Sequence, residues 1–385
     1  MTSQDAHSKP VQDATADAPA IVIREPTDPH PGDKHEIPDY ETHGTFDSLK
    51  DRIKLHYNVA SDYYYSLWGQ HIHHGYWKSG NETKEEAQVN LINLLLEISA
   101  LPKSSRVLDV GCGIGGTSRF LAKEHDCQVT GITISGRQVE IARRLTLAEV
   151  DGGVAGDDAT KAETAATDAV SKNQGSVIKY PTGNSSVRFI ELDAEKMLEH
   201  FKQQDGNDGP GSFDGVWISE ALSHFPNKPF FFSSAFELLQ GGSGNASRLV
   251  IADWFKAKDL TPEQEVADIK AIEDGMLLPP LCTADQYVEM ATKAGFKVLK
   301  GPMDISADVS KTWYCPPNVS LLYFFKCANT PYRDISWSLV SSPSLWAFAI
   351  SQGRDGLAFL QAFRAMRRGY ANGTFKYCCI AFEKP

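Results

Sequence analysis

Hydrophobic positions along the chain fall into two alternating periods. Between residues 83 and 100, Ala87, Leu91, Leu94, Leu95 and Ile98 recur on one helical face, and Leu101-Pro102 ends the run. Arg106 to Val110 then reads as a short buried strand, apolar and β-branched around one acid, Asp109. It leads into a turn with glycines at alternate positions, Gly111, Gly113 and Gly115, and into a helical stretch, Thr117 to Glu124, with Phe120 and Leu121 as apolar contacts. The same alternation repeats. A strand is expected over Gln128 to Ser135 and a helix over Gln138 to Leu147, then a strand over Val187 to Ala194 and a helix over 194–203. Strands over Phe213 to Glu220 and Leu249 to Trp254 flank a helix over 229–240 that Gly241-Gly242 stops. Strands alternating with helices argue a Rossmann-like α/β fold, a parallel sheet with right-handed crossovers and helices on both faces. Ligands in such sheets bind beyond the carboxyl ends of the strands, where Asp193 and Glu220 fall.

Three stretches depart from this rhythm. Residues 1–45 are rich in Asp, Pro, Ala, Thr and His without a sustained apolar period, and read as a disordered tail. Residues 150–184 are polar and low in aromatics, and read as a mobile surface insertion that leaves room for a short helix. In segment 47–77, Ile53, Tyr57, Tyr64, Leu67 and Trp68 recur near helical spacing among an unusual density of Tyr, Trp and His. That segment serves as an aromatic core stripe, as a lid in which Tyr57, His73, His74, Tyr76 and Trp77 close over a ligand, or as both. Beyond Phe255 helices dominate, with an acidic amphipathic run from Pro262 to Asp274, a break at Leu277 to Cys282 and a helix capped by Thr283 with Gln286. A strand follows Gly295, and Thr374 to Phe382 reads as a terminal strand. Aromatic patches over 308–367 (Trp313-Tyr314, Tyr323-Phe324-Phe325, Trp337, Trp346 and Phe348) suit a helical cap or pocket wall. The expected organisation is a tail (1–45), a lid and cofactor-binding core (46–254) and a helical, aromatic substrate cap with final strands completing the sheet (255–385).

Composition narrows the class. The chain has 385 residues, 42% of them hydrophobic, enough for a sizeable core. Thirty-eight basic against 49 acidic residues give a net charge of −11, which argues against a nucleic-acid partner. Seven scattered cysteines without C-x-x-C spacing fit a reducing compartment, and the cytoplasm is the expected location. No secretory signal or ~20-residue apolar run is present, so membrane contact is at most peripheral, through the 337–350 aromatics. A homodimer is left open.

The glycine turn carries the chemistry. Glycine lets a ligand touch the backbone, and the following helix points its first amides at whatever lies over the turn. G-C-G-I-G-G has no Lys-Ser/Thr pair and is not a P-loop, and Thr117-Ser118 after Gly116 deny it a full G-x-G-x-x-G. His71, His73 and His74 lack a nearby carboxylate or cysteine at ligand spacing, so no metal is expected.

L-D-V-G-C-G-I-G-G, together with Y-N-x-x-S-D-Y-Y, H-I-H-H-G-Y-W, V-T-G-I-T-I-S, F-D-G-V-W-I-S-E with H-F-P-N-K, L-P-P-L-C-T and R-R-G-Y-A-N-G-T-F-K-Y, resembles the γ-tocopherol methyltransferase-like group of class I S-adenosylmethionine-dependent methyltransferases. The resemblance spans residues from about 50 to 385. It implies S-adenosylmethionine as cofactor, with Asp109 ordering the loop and the cofactor's amino-acid end and Gly111, Gly113 and Gly115 letting the cofactor approach the backbone. Thr133, the Ile134 backbone and Gln138 stand where many relatives bind ribose through an acid that this chain lacks. Asp193 with Ala194 matches the adenine site, and His73 and His74 match a cofactor-capping stretch. Glu220 and His224 match an E-x-x-x-H pattern that faces the substrate, beside Tyr57, Tyr76 and Trp77. The insertion at 150–184 is longer than the group's usual connection, and Ser223 stands where the group often has glutamate.

The implied activity is methyl transfer to a small, lipophilic acceptor of secondary metabolism: a prenylated phenol, an alkaloid amine or a terpenoid, at C, N or O. In-line displacement needs mainly proximity, orientation and a dry site. Glu220 and His224 are the catalytic candidates where the acceptor must lose a proton. Two alternatives stand beside it: C-methylation of an alkene through a carbocation, and a cofactor-bound protein that does not methylate.

Overall fold

The computed structural model describes residues 46–151, 175–181, 183–204, 209–241, 247–313 and 354–385. The expected tail, most of the 150–184 insertion and the aromatic patches from Tyr314 to Phe348 lie outside the described residues.

The chain begins with α1 (Phe46–Trp68), which Gly69 ends, and α2 (Lys84–Ser99). Thr83 caps α2 with its side chain on the Glu86 amide while Glu86 reaches back, a reciprocal pair that satisfies two end donors. The alternating core follows: β1 (Arg106–Val110), α3 (Gly116–His125), β2 (Gln128–Thr133), α4 (Gly136–Val150), β3 (Ile178–Lys179), β4 (Ser186–Glu191), α5 (Met197–Lys202), β5 (Gly215–Ser219), α6 (Lys228–Leu238) and β6 (Ser247–Lys256). A composite helix, α7, covers 262–275, with a π-helical stretch over Glu265–Lys270. Then come α8 (Ala284–Ala294), β7 (Lys297–Asp304), the short α9 (Ser306–Val309), α10 (Arg354–Asn372) and β8 (Phe375–Lys384).

All strands form one sheet in the order β3-β4-β2-β1-β5-β6-β8-β7. The central five, β4 to β6, are parallel. The sheet is mixed rather than parallel throughout: β3 pairs antiparallel with β4, and β8 runs antiparallel between β6 and β7. The pairing of β6 with β8 covers all ten residues of each strand, so the expected division at residue 254 falls inside a continuous ladder.

The pleat sends alternate residues to opposite cores. Val107 joins Leu91, Leu95, Trp217, Val250 and Met366 on the α2 and α10 face. Leu108 and Val110 join Val216, Ile218, Phe231, Phe232 and Tyr287 on the α6 and α8 face. Burial on both faces explains why these strands read as near-continuous apolar runs.

Several boundaries differ from the sequence reading. β4 stops at Glu191, and Asp193 instead caps a 3-10 turn, Ala194–Lys196, by accepting the Glu195 amide at 3.0 Å. α6 ends at Leu238 before the glycines, because Leu239 turns extended and bridges Phe213. The insertion closes with β3, a two-residue edge strand that polar composition concealed. Strand order reverses between β1 and β5, each flanked by later strands on its outer side, which opens a crevice at their carboxyl ends.

Candidate active site

Two connected chambers lie along that crevice. The larger encloses about 840 Å³, counted out to its open mouth. Thr133, Ile134, Gln138, Leu192, Asp193 and Ala194 line it together with Tyr57, Glu220, His224 and Phe225. The smaller, about 350 Å³, is lined by His71, His73, Asp109, Cys112, Ile114 and Thr117 among others. Ile72, Gly111, Gly113 and Ser219 border both.

The turn after β1 builds the floor. Gly113 takes φ +54°, and a Cβ there would project into open space, so the chain leaves that volume to a ligand. Gly115 differs. Its φ is +77°, but a Cβ would meet the Phe189 ring at 2.6 Å and Ala142 at 3.1 Å, and it borders neither chamber. The expectation that Gly115 faces the cofactor is therefore corrected: it lets β4 and α4 pack against the turn. Asp109 is 3% exposed and accepts the Ser118 hydroxyl at 2.5 Å. Burial pushes its carboxyl up to about 7, against the pull of that hydrogen bond.

At the end of β2, where an acid is absent, Thr133 Oγ1 donates to Gln138 Oε1 at 2.5 Å. α1 roofs this end of the cleft and is tied to three strand ends. Lys50 pairs with Asp193 at 3.3 Å and with Glu195, and Lys54 pairs with Glu191 at 2.7 Å. Asn58 Oδ1 accepts the Ser135 hydroxyl at 2.6 Å. Tyr57 Oη lies 3.1 Å from His224 Nε2. Burial first, then the charges of Glu220 and Asp253, push the Tyr57 hydroxyl well above its usual range, so it stays protonated.

Glu220 directly follows β5 with φ +54°, an unfavourable conformation for a side-chain-bearing residue and one that clusters at functional sites. Three donors hold its carboxylate: the His74 amide at 2.7 Å, His74 Nδ1 at 2.9 Å and Tyr377 Oη at 2.8 Å. Burial pushes this carboxyl up, but the His74 ring and its hydrogen bonds outweigh burial and hold it below its usual value. The His74 ring is fully buried among Trp254, Tyr370 and Tyr377, and its Nε2 is 3.4 Å from Tyr370 Oη.

His74 thus lies outside both chambers and grips Glu220, where cofactor contact was expected. Tyr76 and Trp77 also border neither chamber, against the expected substrate role. At Gly75 the chain passes so close to α2 that a Cβ would meet Ala87 Cβ at 2.7 Å, which carries the next residues away from the cleft. The Tyr76 amide bonds the Ala87 carbonyl at 2.7 Å, and Trp77 Nε1 reaches Thr312 Oγ1 at 3.4 Å.

Other residues were given no site role from sequence. His71 and Ile72 border the small chamber. Asp253, fully buried in β6, accepts the Ser223 amide at 2.7 Å and Tyr287 Oη at 3.2 Å. Buried Lys228 donates to the carbonyls of Ser223 at 3.2 Å and Phe225 at 2.9 Å, either side of His224. A lone acid inside the apolar run L-V-I-A-D-W-F was the available signal for Asp253. Among the described residues no three His, Cys, Asp or Glu side chains are grouped to hold a metal, and no described helix is long and apolar enough to cross a membrane.

The sheet order, the antiparallel β8 insertion and the crevice at the β1–β5 reversal are the fold of class I methyltransferases. Residues 46–154 match the family model for mycolic acid cyclopropane synthetase. The chain is 26% identical to a probable chloroplastic tocopherol O-methyltransferase from Oryza sativa subsp. japonica, over 88% of this chain and 79% of that protein. It is 30% identical to the O-methyltransferase cnsE of Penicillium expansum, over 63% of this chain and 71% of the relative. The structure of mycolic acid cyclopropane synthase CmaA1 complexed with SAH and CTAB superposes with a TM-score of 0.61 at 17% identity, covering 87% of this chain and 98% of that one. The chain belongs to the S-adenosylmethionine-dependent methyltransferases, and it acts on small molecules. The open volume over Gly113 and the split cleft fit that cofactor.

Proposed function

We propose that the protein methylates a hydroxyl group of a fairly apolar small molecule, such as a prenylated phenol or a terpenoid alcohol. The observation that carries this reading is the Tyr57–His224 pair at 3.1 Å in the wall of the cleft. S-adenosylmethionine supplies an electrophilic methyl on sulfonium. Thr133, the Ile134 backbone and Gln138 hold its ribose, Asp193 and Ala194 its adenine, and Asp109, Gly111 and Gly113 its amino-acid end in the small chamber. The chain orients donor and acceptor in line and keeps water out. The acceptor hydroxyl gives its proton to Tyr57 Oη as Tyr57 passes its own to His224 Nε2. Lys228 and Asp253 brace the loop that carries His224. Glu220 is a poor base because three donors occupy its carboxylate and hold it ionised. It serves as a fixed negative charge beside a cationic reaction. The helices of 255–385 act as the substrate cap while its final strands complete the sheet, and the cytoplasm is the working compartment. Both relatives named above carry O-methyl transfer in their names.

Tyr57→Phe and His224→Gln test the reading. Each lowers kcat by roughly 10²- to 10³-fold, leaves the affinity for S-adenosylhomocysteine unchanged, and removes the acidic limb of the kcat profile. A Tyr57→Phe enzyme with undiminished kcat would exclude the relay. A second reading, C-methylation of an alkene through a carbocation, is favoured by ionised Glu220 held against Tyr377. Locating a labelled methyl group on carbon in the product would favour it.

A further inference from the structure

The motif R-R-G-Y-A-N-G-T-F-K-Y, residues 367–377, forms the corner where α10 passes into β8. Its side chains fall into two sets. Arg368, Asn372 and Thr374 converge on the carboxylate of Asp268, which is 2% exposed and lies in the π-helical stretch of α7. Thr374 Oγ1 donates to Asp268 Oδ2 at 2.7 Å and Asn372 Nδ2 at 3.4 Å. Arg368 Nε donates to Oδ1, and its Nη2 reaches the Ala267 carbonyl. Tyr370 and Tyr377 belong instead to the Glu220 site. Tyr370 Oη lies 3.4 Å from His74 Nε2, and Tyr377 Oη donates to Glu220 at 2.8 Å.

The corner joins the two sets tightly. At Gly369 a Cβ would meet Phe375 Cβ at 2.6 Å, so the absence of a side chain lets α10 close onto the start of β8. The Thr374 amide bonds the Gly369 carbonyl at 2.9 Å, and the Phe375 ring packs edge-on against Tyr370 at 5.0 Å. A displacement of this corner therefore carries both tyrosine hydroxyls with it. Asp268 borders neither chamber, so any effect it has on the site passes through the corner. Burial pushes its carboxyl up, but Arg368, Thr374 and Asn372 outweigh burial and hold it below its usual value. A buried ion pair contributes little net stability once desolvation is counted, and π-helical turns recur at functional sites. We propose that Asp268 is a positioning residue for the Glu220 site: by gathering Arg368, Asn372 and Thr374 it fixes the α10–β8 corner so that Tyr370 and Tyr377 meet His74 and Glu220. The inference rests on the reading of Glu220 as a fixed negative charge, and it extends the apparatus that maintains this charge to a carboxylate outside the cleft.

The test reads Glu220 directly and needs no acceptor. Glu220 is faced by His73 and His74 from the connection after α1, by Tyr57 from α1, by Tyr370 from α10 and by Tyr377 and Cys379 from β8. Carbon NMR of protein labelled at the glutamate carboxyl follows its titration, with the Glu220 resonance identified by its absence in Glu220→Asp. Asp268→Asn raises the midpoint of that titration by about 0.5 to 1 pH unit, the worth of about one hydrogen bond. In protein carrying Tyr370→Phe and Tyr377→Phe, Asp268→Asn adds no further rise, because the hydroxyls through which it acts are gone. A titration that Asp268→Asn leaves in place, or that it raises equally with and without the two hydroxyls, overturns the proposal. If Asp268→Asn does not fold, Thr374→Val and Arg368→Gln each remove one arm of the knot. Each gives a smaller rise in the same direction, and no rise from either overturns the proposal. Turnover of a prenylated phenol separates the two readings. If the titration moves as expected while Glu220→Gln turns over like the parent, the positioning role of Asp268 stands and the fixed-charge reading of Glu220 fails.

Discussion

Asp109 and Glu220 are two buried carboxylates at the carboxyl ends of neighbouring strands, and their surroundings push them in opposite directions. Asp109 has one described donor, Ser118, and burial drives its carboxyl up to about 7. Glu220 has three donors, two of them from His74, and is held below its usual value despite burial. The count of donors decides between desolvation and stabilisation of the charge. An under-supplied carboxylate is one that any cation placed beside it would help to ionise. A fully supplied one is a permanent charge that neither takes protons readily nor needs the ligand to stay ionised.

The contrast breaks hardest at Glu220. Glu220→Gln sets an amide donor against the His74 and Tyr377 donors and removes the charge. Turnover should fall by roughly 10²-fold or more, and stability by about 3–5 kcal/mol, the usual cost of stripping one member from a buried charged pair. Calorimetric unfolding and single-turnover rates measure both, and a fully stable, active Glu220→Gln enzyme would remove its half of the comparison.

Asp109→Asn should act in the opposite direction on stability. The folded value of about 7 lies above the 3.8 of an ordinary aspartate. The contribution of Asp109 is therefore fully present below about pH 4 and is lost as pH rises through 7. Without ligand, the Asn variant should gain up to a few kcal/mol above neutrality over the parent, while its affinity for S-adenosylhomocysteine drops by about 10-fold or more. In the parent, that affinity should increase as pH rises through about 7, because binding a cation favours the ionised carboxyl and releases a proton. A pH-independent affinity in the parent would contradict the shift.

The smallest effects sharpen the same contrast by removing one donor from each side. Ser118→Ala takes the single described donor from Asp109 and should weaken cofactor binding several-fold, the worth of about one hydrogen bond. Tyr377→Phe leaves Glu220 two donors of three and should lower turnover less, by about 2- to 5-fold. Reversed magnitudes would mean that donor number is not what separates the two sites.

Much of this could be read from the chain. The strand, turn and helix from Arg106 to Glu124 follow from local pattern, and so do the acid-free end of β2 and the Thr283 cap, because each depends on residues a few positions apart. The pairings that set the chemistry are remote. Tyr57 meets His224 across 167 positions and His74 meets Glu220 across 146. Local spacing cannot say that of two adjacent histidines one faces the chamber and the other the core. The roles of Gly113 and Gly115 also look alike in sequence, and only Phe189, brought in by β4, separates them. Tyr76 and Trp77 were misplaced because aromatic density reads the same whether the chain continues along a cleft or, as at Gly75, turns onto α2.

The position of β8 has a consequence for how the enzyme comes into being. Tyr377 lies on a strand that the ribosome makes after both of the strands it separates, β6 and β7. Until residues 375–384 emerge, ten residues of β6 present an open hydrogen-bonding edge with apolar side chains on both faces, the kind of edge that recruits stray strands. Until β8 is made, this edge and the Glu220 carboxylate are both unfinished, and a single insertion resolves the two together.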